Sequence, residues 1–540
     1  MRDATGSLGK IGVLLGGGLL AFAGCQSDGF WCGGSTCGDS KTETSALLSL
    51  ADLPAEVPED PTNAYAKNPG AIALGKQFFF DTRFSGPVTG LDSIGRPVPF
   101  GRAAKGQPAG VACATCHDFS RGSIDTAAAP GNVSVGASWT FTNALPIFNA
   151  GFYQLITWNG RVDSLWAQAA ADNENWLTTN GNRLATAWAI ADLYRAPYEK
   201  VFEQYPLPMQ GKSSDWKDLV IEPGTPQAGQ CKLVGGACPE ACRWATSTSG
   251  AKACFPHYPL RGKPGKIAGC QFDDATEPFW DAFDCMADDE RPLATRVLIN
   301  FGKAIASWEY TLVSRNSPFD RWASDLKNGK GDTSKAIPDL AKEGARLFVG
   351  KAACNECHTT PLFSDNRFHN IGVQQVGTGI PVEADCPAGD YYCDCAPPSE
   401  GHTGPWNCIP WGARDGIEKL KNSKQRRDSI WSDNPGDTSR MSFVSMDLDQ
   451  VPKGAYRTPS LRNVALTAPY MHNGSMAKLE DVIWHYTQGG SSDTPGVRAP
   501  AIKPLFLTEH EQQALVSFLK SLTSDPIAPE LVAPPVLPMP

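Results

Sequence analysis

Two copies of the pattern Cys-x-x-Cys-His are the residues with the clearest capacity for chemistry. In a chain exported from the cytoplasm, two thiols at this spacing attach to the two vinyl groups of one haem, and the adjacent histidine becomes the proximal iron ligand. A Cys-x-x-Cys alone would also fit a redox disulfide or half of a zinc site, but the histidine in both copies favours two haem c groups. The six residues are Cys113, Cys116, His117, Cys354, Cys357 and His358.

The opposite face of each iron decides what the haem does. A permanent sixth ligand gives an electron carrier, whereas an open position gives a catalyst for peroxide or another small molecule. After His117 the next methionine is Met209 and the next histidine is His257, which lies in a Cys-rich region. We therefore predict an open, five-coordinate first haem and place catalysis there. A ligand that folds in from elsewhere is the alternative.

The second motif has many possible sixth ligands, and the sequence alone does not choose among them. A single methionine or histidine in this region is more often a packing or hydrogen-bonding residue than an iron ligand. The candidates are His369, Met441, Met446, Met471, His472, Met476, His485 and Tyr486.

Composition and the N-terminus narrow the class of protein. The 540 residues carry a formal net charge of −9 without a long basic run, so nucleic acid is not an expected partner. The apolar segment 11–23 is too short to span a bilayer and predicts a signal peptide over 1–25. Its end resembles a bacterial lipobox, which predicts a periplasmic protein lipid-anchored at Cys25. Ordinary cleavage and a soluble periplasmic protein is the alternative.

Twelve of the 17 cysteines lie outside the haem motifs and the lipobox. They fall into local groups of two, six and four along the chain. In an exported protein this predicts disulfides within each group, although the connectivity is open. Metal binding by these cysteines is the alternative.

The elements that must position the motifs are predicted to be mainly α-helical with long loops. Apolar residues recur at helical spacing in several segments, and a Thr508-x-x-Glu511 capping box begins the last helix. The predicted helices cover 69–79, 184–202, 292–313 and 339–349, with the last starting at Thr508.

We predict two tandem cytochrome c-like haem domains, each interrupted by a Cys-rich insertion. A linker should separate them from the signal peptide, and a Pro-rich tail should remain unpacked. The predicted boundaries are 26–64 for the linker, 65–320 for the N-terminal domain with its insertion at about 207–285, 321–525 for the C-terminal domain with its insertion at about 380–437, and 526–540 for the tail.

Three segments resemble a known family. Residues 456–475 read YRTPSLRNVALTAPYMHNGS, residues 158–165 read WNGRVDSL, and residues 73–81 read ALGKQFFFD. Together they resemble the bacterial diheme cytochrome c peroxidases and their MauG relatives. The resemblance covers most of 65–205 and 290–525, but not the two Cys-rich insertions.

The resemblance implies an N-terminal haem that reacts with peroxide and a C-terminal haem that relays electrons. Typical peroxidases have a distal histidine at the first haem, which this chain lacks, as MauG-like members do. Typical members also place a methionine at the second haem where this chain has Tyr486, again as in MauG-like members. A phenolate ligand would favour ferric iron, whereas a thioether favours ferrous iron. A packed helical tyrosine is the alternative for Tyr486.

The family also implies a carboxylate and an amide that act as acid and base beyond residue 161. Trp166 stands where peroxidases often carry glutamate, so Gln168 and Glu174 are the nearest substitutes. A surface or helix-capping role is the alternative for Glu174. Trp158 or Trp166 would lie between the haems and pass electrons, with core packing as the alternative for each.

The resemblance further implies one calcium ion between the domains. Thr467 and Pro469 match the segment that supplies backbone carbonyls, and Asn132 is a candidate side-chain ligand. Oxygen ligands of this kind suit calcium.

The function predicted from these features is reduction of hydrogen peroxide at the N-terminal haem, with electrons relayed through the C-terminal haem. The expected donor is a small c-type cytochrome or a cupredoxin. One alternative is MauG-like oxidation of a partner protein through high-valent haems. The other is a non-catalytic diheme electron carrier.

Overall fold

The computed structural model describes most of the chain between residues 41 and 539. The described ranges are 41–88, 107–125, 134–219, 230–246, 252–258, 283, 286–374, 393–396, 407–410 and 412–539, apart from 139, 141, 176 and 217. The described part is mainly helical with long loops, which confirms the mainly α part of the predicted fold class. No described helix combines the length and apolar character needed to cross a bilayer.

Fourteen α-helices occur in the described residues. They are α1 Lys41–Ser49, α2 Pro69–Phe80, α3 Cys113–Cys116, α4 Leu165–Glu174, α5 Arg183–Leu193, α6 Arg195–Val201, α7 Arg291–Glu309, α8 Pro318–Lys327, α9 Asp339–Val349, α10 Ala413–Asn422, α11 Met441–Val444, α12 Leu479–Gln488, α13 Glu509–Lys520 and α14 Pro529–Val532.

The described strands form three small antiparallel pairs. They are β1 Cys242–Thr246 with β2 Lys252–Pro256, β3 Phe368–His369 with β6 Tyr456–Arg457, and β4 Cys393–Ala396 with β5 Asn407–Pro410. The β3–β6 pair matters most for function, because it joins the segment after the second Cys-x-x-Cys-His motif to residues 456–475.

Two apolar cores lie beside the two motifs, and each depends on a glycine at a helix crossing. In the first core α2 packs on α7, where a Cβ at Gly75 would lie 1.8 Å from the Ala304 carbonyl oxygen. In the second, α9 packs on α13, where a Cβ at Gly344 would lie 1.9 Å from the Ala514 carbonyl oxygen. Only glycine permits such close backbone contact.

The predicted linker and tail are both corrected by the structure, because each packs against a core. Part of the 26–64 segment forms α1, and Leu47 of this helix and Leu50 just after it are buried in the second core. The tail forms α14, whose Leu531 packs on the first core and accepts a 3.1 Å hydrogen bond from Trp308 Nε1 at its carbonyl oxygen. The signal peptide and Cys25 lie outside the described residues.

The first Cys-rich insertion contains two disulfides, Cys231–Cys242 and Cys238–Cys254. Pairing within this group was predicted and is confirmed for these four cysteines. Part of the second insertion is also integrated into the fold, because α10 contributes Ile417 to an apolar cluster with Leu155. The rest of both insertions lies largely outside the described residues.

Candidate functional site

Both Cys-x-x-Cys-His motifs place the histidine at the end of a single helical turn. The His117 amide donates to the Cys113 carbonyl at 3.1 Å, and the His358 amide donates to the Cys354 carbonyl at 3.0 Å. None of the four motif cysteines is in a disulfide. The turn thus presents two sulfur atoms and one imidazole together, as attachment of one haem at each motif requires.

The imidazoles of both motifs are oriented by backbone carbonyls. Nδ1 of His117 lies 3.1 Å from the Ser123 carbonyl oxygen, and Nδ1 of His358 lies 3.0 Å from the Phe363 carbonyl oxygen. Because a carbonyl only accepts hydrogen bonds, Nδ1 carries the proton and Nε2 is left to bind iron. Burial lowers the pKa of both imidazoles, which favours the neutral form that a metal needs.

A deep cavity opens above each motif. The first, about 1300 Å³ with its mouth included, contains Cys113, Cys116 and His117 in its wall. The second, about 1420 Å³ with its mouth included, contains Cys354, Cys357 and His358. The thiols, the neutral imidazole and the predominantly apolar walls all fit a covalently held haem.

The described wall of the first cavity offers iron neither a second imidazole nor a thioether. Among the described residues in its wall, His117 is the only histidine, and no methionine occurs. Met209 is buried in the first core, and His257 lies 2.5 Å from the Glu290 carboxylate, away from the cavity. An open position on the first haem therefore remains the interpretation that these contacts favour.

Three connected polar side chains line the first cavity on α4 and the segment before it. The Asp172 carboxylate accepts hydrogen bonds from Arg161 at 2.6 Å and from Gln168 Nε2 at 2.5 Å. Because the Gln168 amide nitrogen is held by Asp172, its carbonyl oxygen is oriented away from that bond. Gln168 was predicted from sequence as a site residue, whereas Asp172 was not.

Glu309, the last residue of α7, is a buried carboxyl group in the wall of the same cavity. Its side chain is 4% exposed, and Oε2 has no hydrogen-bond partner among the described residues. Burial first, and then the nearby Asp172 charge, raises the pKa of Glu309 to about 8. The carboxyl is therefore protonated at neutral pH and is able to donate a proton.

Two residues named from the sequence do not face either cavity. Glu174 forms an ion pair with Arg183 at 2.6 Å, and it is absent from both cavity walls. Trp166 is fully buried in the first core, where Nε1 donates to Thr62 Oγ1 at 2.9 Å. The structure thus supports the packing alternative for Trp166 and moves the acid/base candidacy from Glu174 to Glu309 and Asp172.

The second cavity brings four of the eight sequence-derived ligand candidates to its wall: His369, Met471, His472 and Tyr486. The other four, Met441, Met446, Met476 and His485, do not line it. His485 instead lies with Nε2 2.9 Å from the Ile371 carbonyl oxygen.

Two of the four candidates in the second cavity already have other partners. His369 Nε2 lies 2.7 Å from the Asp365 carboxylate, and the His472 ring stacks on Tyr456 with centroids 3.8 Å apart. The two remaining candidates for the iron ligand are Met471 and Tyr486, which lies on α12. Burial raises the pKa of the Tyr486 phenol, and only a bound cation would offset that effect.

The two cavities share a wall. Trp158 and Arg457 line both of them. Trp158 Nε1 donates to the Asn143 carbonyl at 2.8 Å, and its ring meets Tyr456 and His472 edge-on at 6.4 and 6.3 Å. Of the two tryptophans named from sequence, Trp158 is therefore the one between the cavities.

The residues named for calcium are only partly described. Asn132 lies outside the described residues. The Thr467 hydroxyl donates to the Val464 carbonyl at 3.0 Å, and the Pro469 carbonyl accepts a 2.9 Å hydrogen bond from Asn143 Nδ2. One of the proposed carbonyl ligands is thus already hydrogen-bonded, so the calcium prediction rests on the resemblance alone.

Glu309, Asp172 and Arg457 are the functional candidates that the sequence reasoning missed. A signal for Glu309 was present, because it follows Phe301 and Ile305 at four-residue intervals on the buried face of α7. A carboxylate in such an apolar stripe is unusual. Asp172 and Arg457 gave no comparable signal, because their surroundings come from distant parts of the chain.

Comparison with known proteins agrees with the site. A family model described as di-haem cytochrome c peroxidase matches residues 69–217. The methylamine utilization protein MauG of Methylorubrum extorquens is 26% identical over 509 residues, covering 92% of this chain and 93% of that protein. Cytochrome-c peroxidase IdrP1 of Denitromonas iodatirespirans is 27% identical, covering 89% and 90%. Cytochrome c551 peroxidase of Nitrosomonas europaea is 26% identical, covering 90% and 92%.

Two Cys-x-x-Cys-His motifs, each beside a large cavity in a mainly helical chain, define a diheme c-type cytochrome. The chain is similar to diheme cytochrome c peroxidases and MauG proteins over 89–92% of its length, and a family model of that description matches its residues 69–217. The relatives support a peroxidase-type diheme oxidoreductase, as the sequence predicted.

Proposed function

We propose that this protein reduces hydrogen peroxide in the first cavity with electrons that arrive through the second. Each peroxide takes up two electrons and two protons and leaves as two water molecules. The observation that carries the proposal is the asymmetry of the two cavities. The first has no second histidine or methionine in its described wall, whereas the second presents Tyr486 and Met471.

A haem held at His117 would supply an iron position for peroxide and an entry for electrons. The chain's own residues supply the protons and the orientation. Glu309 is neutral below its pKa of about 8 and donates from a buried wall, where electrostatic effects are strong. The Gln168 carboxamide is fixed by Asp172 and offers an oriented hydrogen-bonding group to the oxidant.

Trp158 has the position needed for electron transfer between the sites. It is the tryptophan shared by both cavity walls, and its ring meets His472 of the second cavity edge-on. We propose Tyr486 as the sixth iron ligand on the second side, on the strength of its place in that wall and the family resemblance.

The deciding experiment is the ferric absorption spectrum before and after one equivalent of peroxide. A high-spin signal from one haem that is lost on peroxide addition, followed by turnover with a reduced small cytochrome, is the expected result. Two low-spin haems that ignore peroxide would instead identify an electron carrier.

The residue assignment has its own test in a matched pair of variants. Glu309→Gln should slow the peroxide reaction by about 10²- to 10⁴-fold, the usual range for loss of a general acid. Glu174→Gln should change it only a few-fold, because that carboxylate is bound to Arg183 outside the cavity. A larger loss of rate in Glu174→Gln than in Glu309→Gln would instead assign the general-acid role to Glu174.

One observation favours MauG-like oxidation of a partner protein as the second candidate function. Helix α12 carries Tyr486 in the wall of the second cavity and Trp484 on the outer surface, where Trp484 is 56% exposed. An aromatic path from the second site to a docked protein is then short. Slow turnover with a long-lived oxidised state of both haems would favour this function over peroxide removal.

The remaining parts of the proposal rest on sequence and on the relatives. The location is the periplasm, with a lipid anchor at Cys25. The electron donor is a small c-type cytochrome or a cupredoxin. The two haem domains stand in tandem, and a calcium ion between them would involve Thr467 and Pro469.

A further inference from the structure

Arg457 is a buried cation in the wall shared by the two cavities. It belongs to β6 and is 2% exposed. Its backbone amide donates to the Trp158 carbonyl at 2.8 Å. The side chain donates from Nε to the Thr157 carbonyl at 3.1 Å and from Nη1 to the Thr458 carbonyl at 3.3 Å. These bonds hold the guanidinium in one place.

The positive charge of Arg457 has no carboxylate partner among the described residues. Its guanidinium carbon lies 3.8 Å from the centroid of the Tyr153 ring, which attracts a cation but does not neutralise it. The acidic residue with an electrostatic effect on it is Asp365, which is itself 2.7 Å from His369. Because arginine does not lose its proton in proteins, the charge remains.

Arg457 is an exception among the buried lysines and arginines that the structure describes. The other basic side chains that are buried among the described residues each have a carboxylate oxygen within 2.8 Å. The pairs are Lys303–Asp433, Lys342–Asp339, Arg427–Asp60, Arg427–Asp437 and Arg462–Asp320. An unpaired buried charge is strongly destabilising, so the position indicates an anion that enters with a ligand.

We propose that Arg457, with Tyr153, binds a carboxylate side arm of haem at the wall between the two cavities. Haem carries two such carboxylates, and the guanidinium forms paired hydrogen bonds with this group. Tyr153 lines the first cavity, and its hydroxyl oxygen accepts a 2.7 Å hydrogen bond from the Ser460 amide, so its proton is directed elsewhere. The carboxylate therefore belongs to the haem at His117.

The proposal goes beyond peroxide reduction and needs only the bound haems. A cation beside the haem disfavours the extra positive charge of ferric iron, so it raises the midpoint potential. It also lowers the pKa of the carboxylate that it binds. In the intact protein that carboxylate should stay ionised across pH 5–8. Its titration should therefore contribute little pH dependence to the midpoint potential of the first haem over this range.

The experiment is a spectroscopic redox titration of the diheme protein at several pH values between 5 and 8, without peroxide. Arg457→Gln should lower the potential of the first haem and make it pH-dependent, because the carboxylate then takes up a proton in this range. Arg457→Lys keeps the charge and should retain most of the potential and the flat profile. Arg462→Gln is the control, because it removes a buried guanidinium outside both cavity walls; it should leave the potential and its pH profile unchanged.

An Arg457→Gln protein that holds both haems and titrates like the wild type would overturn the proposal. If that variant does not fold, Arg457→Lys carries the test, and a lysine protein with a lowered, pH-dependent potential would show that the charge is not what matters. A protein that failed to reduce peroxide would still give these titrations, so the two proposals fail separately.

Discussion

Replacing Glu309 by glutamine should make the protein more stable at neutral pH while making it a slower catalyst. The glutamate carboxyl has an ordinary pKa of 4.5 and a folded pKa of about 8. Below pH 4.5 it is protonated in both the folded and the unfolded chain. Between pH 4.5 and 8 only the unfolded chain releases the proton, so the free energy of unfolding falls as pH rises.

The size of this effect follows from the interval between pH 4.5 and pH 7. Each pKa unit corresponds to about 1.4 kcal/mol, so the folded state loses up to about 3 kcal/mol by pH 7. Glutamine has nearly the same shape as the protonated carboxyl and cannot ionise. Glu309→Gln should therefore gain up to that amount at pH 7 and little or nothing near pH 4.5.

Guanidinium unfolding at pH 5, 7 and 8, followed by far-ultraviolet circular dichroism with the disulfides intact, measures the free energy of unfolding and its dependence on pH. Glu240→Gln, at an exposed loop position, should leave the pH dependence as it is in the wild type. A Glu309→Gln protein that is no more stable than the wild type at pH 7, with the same slope against pH, would refute the reasoning about this carboxyl.

Three further outcomes are expected. Tyr486→Met should raise the midpoint potential of the second haem and change its ferric spectrum, because a thioether favours ferrous iron; an unchanged spectrum would remove Tyr486 as a ligand. Trp158→Phe should slow electron transfer from the second haem to the first, measured by stopped-flow absorbance, while haem content stays at two; unaltered transfer would exclude this path. Truncation after Asp525 should lower the free energy of unfolding by about 1–3 kcal/mol, because it exposes Trp308 and breaks its 3.1 Å hydrogen bond to the Leu531 carbonyl. An unchanged thermal midpoint would contradict the packing of the tail.

Local features were readable in the sequence because their causes lie within a few residues. The Thr508–Glu511 capping box is present in the structure, and the helix predicted over 339–349 has those bounds. The long helix expected over 292–313 occurs as Arg291–Glu309. The Cys-x-x-Cys-His spacing works in the same way, since one helical turn brings its three side chains together.

The features that sequence reasoning missed depend on distant parts of the chain. Nothing around Arg457 in the sequence indicates that its side chain reaches Thr157, some 300 residues earlier. The acid/base prediction chose Glu174 because it lies near the 158–165 motif in the sequence. In the folded chain that carboxylate is bound by Arg183 instead of facing the cavity. The linker and the tail were predicted to be unpacked because of their composition, whereas their burial depends on contacts with cores built from other parts of the chain.

Helices α1 and α14 each pack against the core that lies beside the more distant haem motif in the sequence. The helix at the N-terminal end completes the core beside the second haem motif, and the helix at the C-terminal end completes the core beside the first. The N-terminal part of an exported chain emerges first, so the first motif and most of its core are present before α14, and that core stays incomplete until α14 follows. Splitting the gene between the two motifs should thus give two fragments that each lack a piece carried by the other, and that hold together only when both are present.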